Sequence, residues 1–91
     1  RKGPRRRLLE AIKLEPRTIV AFESPHRLVG MMKDILDVLG DRRITVCREL
    51  TKLHEEIFRG KVSEAIGHFA EPRGEFTLVI EGKLKRELYK P

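Results

Sequence analysis

The chain has 91 residues, 40% of them hydrophobic and 37% charged, and a net charge of +6 at neutral pH. That length supports one small domain with a modest core and excludes a second. No apolar stretch nears the roughly 20 residues that span a bilayer, and the first arginines lack the apolar segment of a secretory signal, so a cytoplasmic chain with no membrane partner is expected. Cys47, the only cysteine, lies in the apolar run ITVC; a disulfide framework is excluded and a buried, inert thiol is expected. His26, His54 and His68 stand at unrelated spacings, which matches no metal site.

In chain order, RKGPRRR holds five of the twenty basic residues, and the remainder carries fifteen bases against fourteen acids. The basicity is therefore a terminal arm over residues 1–7, expected to be mobile, and suited either to tracking phosphates or to plain solvation. RRRLLEAIKL sets Leu8, Leu9 and Ile12 on one side of a predicted helix that Pro16 stops near Glu15. TIVAF reads as a buried strand. After Ser24, apolar residues Leu28, Met31, Met32, Ile35, Leu36 and Leu39 recur at helical spacing as far as Gly40, a natural C-terminal cap. RITVCREL is a second strand, expected parallel to the first through a right-handed crossover. EEIFRG follows across TKLH as an antiparallel neighbour. Val62, Ala65, Ile66 and Phe69 mark a short helix with Ser63 near its start, EFTLVIEG is a last buried strand, and residues 83–91 form a tail expected to be mobile. The order α-β-α-β-β-α-β gives an α/β domain: a small mixed sheet of about four strands with three helices packed on it.

Charge gathers in three places beside apolar strands: ESPHR, RELTKLHEE and EPRGEF. In ESPHR, Ser24 suits an N-cap and Pro25 the first helical position. His26 and Arg27 then put cations where the helix dipole is already positive, at a cost of a few tenths to about 1 kcal/mol. The plain account pairs Glu23 with Arg27 and leaves His26 solvated; the functional account is an anion site at a helix start. Glu49, Lys52, His54, Glu55 and Glu56 suit either an ordinary charged turn or proton transfer. No glycine-rich phosphate loop or nucleotide fingerprint is present.

TIVAFESPHRL, RELTKLHEEIFRG and EPRGEFTLVIEG, in this order and at these separations, resemble the C-terminal half of the ribosomal RNA small subunit methyltransferase I family. The resemblance runs roughly from Arg1 to Gly82. It implies the C-terminal lobe of the tetrapyrrole-methylase (class III methyltransferase) fold, with S-adenosylmethionine as cofactor in a cleft shared with an N-terminal lobe that this sequence lacks. It implies a target 2'-hydroxyl on a cytidine ribose of 16S rRNA in the small ribosomal subunit, a homodimer when full length, and no activity for the isolated piece. Residue by residue, it implies that Phe22, Glu23, Ser24, Gly74, Glu75 and Phe76 line the cofactor pocket, with Phe76 offering an aromatic surface to the adenosine. His26, Arg27, Arg48 and Lys52 would meet RNA, and Glu49 and His54 would share the rim with them. The catalytic base stays open among Glu23, Glu49 and His54, or lies in the other lobe. Two rival classes are a non-catalytic RNA-binding module and a lobe of a corrin-type small-molecule methylase; a scaffold role is the residual alternative.

Overall fold

The computed structural model describes residues 2–84. Seven elements follow in the expected order: α1 (Lys2–Ala11), β1 (Ile19–Glu23), α2 (Pro25–Leu39), β2 (Arg43–Thr51), β3 (His54–Lys61), α3 (Val62–His68) and β4 (Glu75–Ile80). The four strands form one sheet in the order β1-β4-β2-β3. Every neighbouring pair is antiparallel, which corrects the expected mixed sheet. β1 and β2 do run the same way, but β4 is inserted between them. A crossover helix fixes relative strand direction; which strand fills the gap depends on a residue pairing about thirty positions further along.

Alternation decides the two faces. Ile19 and Ala21 on β1, Phe76, Leu78 and Ile80 on β4, and Ile44 and Val46 on β2 point to the helix side, where they meet Leu28, Met32 and Ile35 of α2 and Val62 and Ala65 of α3. Val20, Phe22 and Ile57 stay exposed on the other side, which no element covers among the described residues. Cys47 is on that open side and half-buried, rather than in the core where its apolar run placed it.

α2 begins as expected, with Ser24 extended at the N-cap position and Pro25 in the first turn, although the Ser24 side chain makes no capping bond. It ends at Gly40, whose φ of 95° admits the turn. Near the start of α3, the Ser63 backbone N–H and hydroxyl donate to the Asp41 carboxylate at 2.8 and 2.7 Å. Arg42 is the chief staple. Its buried guanidinium donates to the carbonyls of Leu39, Glu81 and Lys13 at 2.9–3.0 Å, joining the ends of α2, β4 and α1.

The basic arm is corrected as well. Residues 2–7 open α1, and two of the arginines lie against α2: Arg5 Nε donates to Asp34 at 2.7 Å and Arg6 Nη1 at 2.9 Å, with Arg6 Nη2 also on Asp37. A run of like charge reads as a solvated arm until tertiary folding supplies its acids. Of the expected tail, Lys83 and Leu84 have no regular secondary structure, the Lys83 N–H donates to the Glu15 carbonyl at 2.7 Å, and residues 85–91 lie outside the described residues. Among the described residues no helix is long and apolar enough to cross a membrane.

Candidate functional site

Because β1 and β2 run one way and β3 and β4 the other, the carboxyl ends of the first pair and the amino ends of the second share one end of the sheet. Register aligns Glu23, Phe76, Arg48 and Glu56 in a single row across the four strands. The next row holds Glu75, Glu49 and Glu55. All three charged loops therefore arrive together, but alternation divides them between two faces. Glu23, Phe76, Arg48 and Glu56 turn to the helix side, whereas Phe22, Glu49, Glu55 and Glu75 belong to the open side.

At the β1–α2 junction, Glu23 Oε1 accepts the Ser24 N–H at 3.1 Å and stands 3.7 Å from Arg27 Nε. The local pair is real, yet 3.7 Å is too long for a hydrogen bond, so the Arg27 donors remain open. His26 and Arg27 are both exposed in the first turn of α2. Phe22 is 78% exposed, an aromatic ring standing free at the edge of the sheet. Beside it a groove of about 350 Å³ runs between α1, β1 and α2, lined by Arg5, Leu8, Ala21, Phe22, Glu23 and Arg27 among others.

Phe76 corrects part of the cofactor expectation. It is 2% exposed, and its ring meets that of Phe69 edge-on at 5.4 Å; it is core, leaving only its backbone at the site. The reason is parity: Phe76 is paired with Glu23 across the ladder, and both face the helices. Gly74 has a structural explanation. Its φ is 90° and a Cβ there would lie 2.5 Å from the Glu49 carbonyl oxygen, so only glycine lets the chain pass this close to β2.

Arg48, expected on an RNA-facing rim, instead bonds inward to Glu56 at 2.6 Å. The other Glu56 oxygen lies 2.5 Å from His68 Nε2, and the His68 ring packs 4.8 Å from that of Phe58. The hydrogen bond with His68 lowers the Glu56 carboxyl below its usual range, assisted by the Arg48 charge and opposed by desolvation. Lys52 and His54 sit exposed at the tip of the β2–β3 hairpin beside Leu53, which is 89% exposed. The three candidate bases are not brought together: β4 separates Glu23 from Glu49, which puts their backbones roughly 10 Å apart at ordinary strand spacing, and His54 lies beyond both.

Sequence reasoning missed Asp34 and its two arginines. Asp34 is 4% exposed, and it falls three residues after Met31 and four before Val38, on the apolar stripe of α2. A carboxylate on such a stripe needs a cation, and that was the available signal. Desolvation pushes its carboxyl up, but the hydrogen bonds from Arg5 and Arg6 outweigh this and hold it below the usual range. Among the described residues no group of three His, Cys, Asp or Glu side chains is arranged to hold a metal ion.

The sequence profile of the tetrapyrrole (corrin/porphyrin) methylases matches residues 1–66. The chain belongs to that methylase family. Among curated relatives, a Thermotoga maritima protein named ribosomal RNA small subunit methyltransferase I is 58% identical over 81 residues, covering 87% of this chain and 36% of the relative. Proteins of the same name from Synechocystis sp. and Bacillus subtilis are 49% and 46% identical, covering 87% and 96% of this chain but 29% and 30% of their own lengths. The chain thus spans about a third of the length of the relatives it matches, and a family of methylases implies a methyl donor. These relatives carry the name of the family that the three charged strings resemble.

Proposed function

We propose that the chain is the C-terminal lobe of an S-adenosylmethionine-dependent methyltransferase acting on the 2'-hydroxyl of a cytidine ribose in 16S rRNA, completed by an N-terminal lobe. The observation that carries the reading is the meeting of ESPHR and EPRGEF at one end of the sheet, with an exposed aromatic ring, a carboxylate and a glycine-bounded backbone side by side. These groups fit an adenosine: the Phe22 ring offers a stacking face, the Glu23 carboxylate accepts from ribose hydroxyls, and the backbone about Gly74 and Glu75 offers polar groups. When bound, S-adenosylmethionine supplies an electrophilic methyl on its sulfonium.

What the chain itself contributes is orientation and a place for a proton. The helix start with His26 and Arg27 holds the anionic backbone of the RNA, and Lys52 at the hairpin tip adds a longer-range attraction. Glu23, at the junction of cofactor and RNA surfaces, takes the hydroxyl proton as the ribose oxygen gains the methyl group; Glu49 stands on the other face between two carboxylates, and His54 is beyond the sheet. The second lobe closes the cleft against water.

The test compares the 91-residue chain with the full-length protein in titrations with S-adenosylmethionine and in methyl transfer to small-subunit particles. Transfer by the full-length protein alone, reduced by Glu23→Gln, is expected. Micromolar cofactor binding or turnover by the 91 residues alone would overturn the two-lobe reading.

A further inference from the structure

Arg5 makes one side-chain hydrogen bond among the described residues, from Nε to the buried Asp34. Neither terminal nitrogen makes a side-chain hydrogen bond there, and with the side chain 16% exposed they are left to the solvent of the groove. A guanidinium held at one nitrogen and open at the other two is aimed, because a bond to a fixed carboxylate removes most of its rotational freedom. Arg5 lines the groove beside β1, and so does Arg27, whose guanidinium stands 3.7 Å from Glu23. Two cations from different helices thus border one groove with donors unengaged, and the groove ends at Phe22 and Glu23.

The helix surface makes room for this. A Cβ at Gly30 would come 3.2 Å from Arg5 Nη2 and 3.8 Å from Arg5 Cζ and Nη1. Gly30 lies within α2, where alanine would be the better helix former by about 1 kcal/mol, and its missing side chain leaves room for the Arg5 guanidinium.

We infer that Arg5 and Arg27 form a two-guanidinium clamp on one RNA phosphate, next to the nucleotide whose ribose is methylated, and that Asp34 is its positioning residue. This rests on the rRNA reading above and deepens it: the groove takes the phosphodiester, while Phe22 and Glu23 at its end face the cofactor. Leu8, Ala21 and Met31 form its apolar wall. Bidentate guanidinium geometry matches two phosphate oxygens, which a lysine could not do.

The test uses the full-length protein with a short fluorescein-labelled single-stranded RNA at several salt concentrations, with parallel cofactor titration, methyl transfer to small-subunit particles and thermal melting. Arg5→Gln and Arg27→Gln should each weaken RNA binding roughly tenfold, the scale of a charge-assisted hydrogen-bond pair. The double variant should lose less than the product of the two, because both act on one phosphate. Gly30→Leu removes no charge, adds a better helix former and leaves Arg6 on Asp34, so it should weaken RNA binding several-fold with a smaller loss of melting temperature than Asp34→Asn. Unchanged RNA affinity in Arg5→Gln and Gly30→Leu, with wild-type methyl transfer intact, would overturn the clamp and leave the rRNA reading standing. Lost cofactor affinity with RNA affinity intact would also overturn it, placing the guanidinia on the cofactor's carboxylate. If the unmodified protein neither binds RNA nor methylates the particles, the clamp and the rRNA reading both fall.

Discussion

The two ends of the sheet treat their cations in opposite ways. Beyond Ile44 and Ile80, Arg42 is buried and gives three guanidinium donors to three carbonyls, while Asp41 secures the start of α3. Beyond Glu23 and Phe76, the Arg27 guanidinium has no partner within hydrogen-bond distance among the described residues, and nearby Arg5 uses one guanidinium nitrogen. A cation whose donors are all satisfied inside the protein holds the fold, and one kept in place with donors open is available to a ligand. Arg48 falls between the two: its Nη2 meets Glu56 at 2.6 Å, while its buried Nε has no hydrogen-bond partner among the described residues.

The sharpest way to break this comparison is at its closed end. Arg42→Ala should destabilise the domain by about 3 kcal/mol, since it removes several hydrogen bonds to a charged group and frees the ends of three elements; urea unfolding measures it, and a loss below about 1 kcal/mol would deny the staple. Asp34→Asn, at the boundary between the two kinds of cation, should cost about 2 kcal/mol by the same measurement, because the buried acceptor loses its charge while Arg5 and Arg6 remain. A variant as stable as the parent would show that the arginines are solvated instead.

Glu56 gives a smaller, pH-dependent contrast. Its carboxyl is lowered in the folded state, so its stabilisation is fully present above the unfolded value near 4.3 and disappears as pH falls through the lower folded value. Glu56→Gln should therefore flatten the acid limb of a stability–pH curve below about pH 5 and leave the slope above it unchanged. An unaltered acid limb would mean that the His68 contact is not held in solution.

The smallest stability effect belongs to the open end. Arg27→Ala should change unfolding by no more than about 0.5 kcal/mol, because a solvent-exposed pair contributes little and a cation leaves the positive helix end. In the full-length protein the same change should weaken RNA engagement more than cofactor binding. A stability loss above about 1 kcal/mol would make the Glu23 pair its purpose.

The order and type of the elements were legible from periodicity: Leu28 to Leu39 recur at helical spacing, and TIVAF and FTLVI are continuous apolar runs of strand length, although the open face of the sheet leaves Val20 and Phe22 of the first run exposed rather than buried. Gly40 at the end of α2 was legible for the same local reason. The three charged loops could also be named, since charge beside an apolar strand is visible along the chain. What each charged residue in them does was not. Phe76 and Arg48 looked like site residues by position in sequence, and the strand register turned both toward the helices.

By itself, then, the sequence determined an α/β domain, its seven elements and the strings that tie it to the methylases, because those follow from contacts within a few residues of one another. Only the tertiary structure decided that β4 separates β1 from β2, that the first helix carries its arginines to Asp34, and that Arg42 closes one end while Arg5 and Arg27 stay available at the other. Those outcomes depend on partners up to about forty residues apart, and whether a cation is structural or free depends on which acceptors reach it in space.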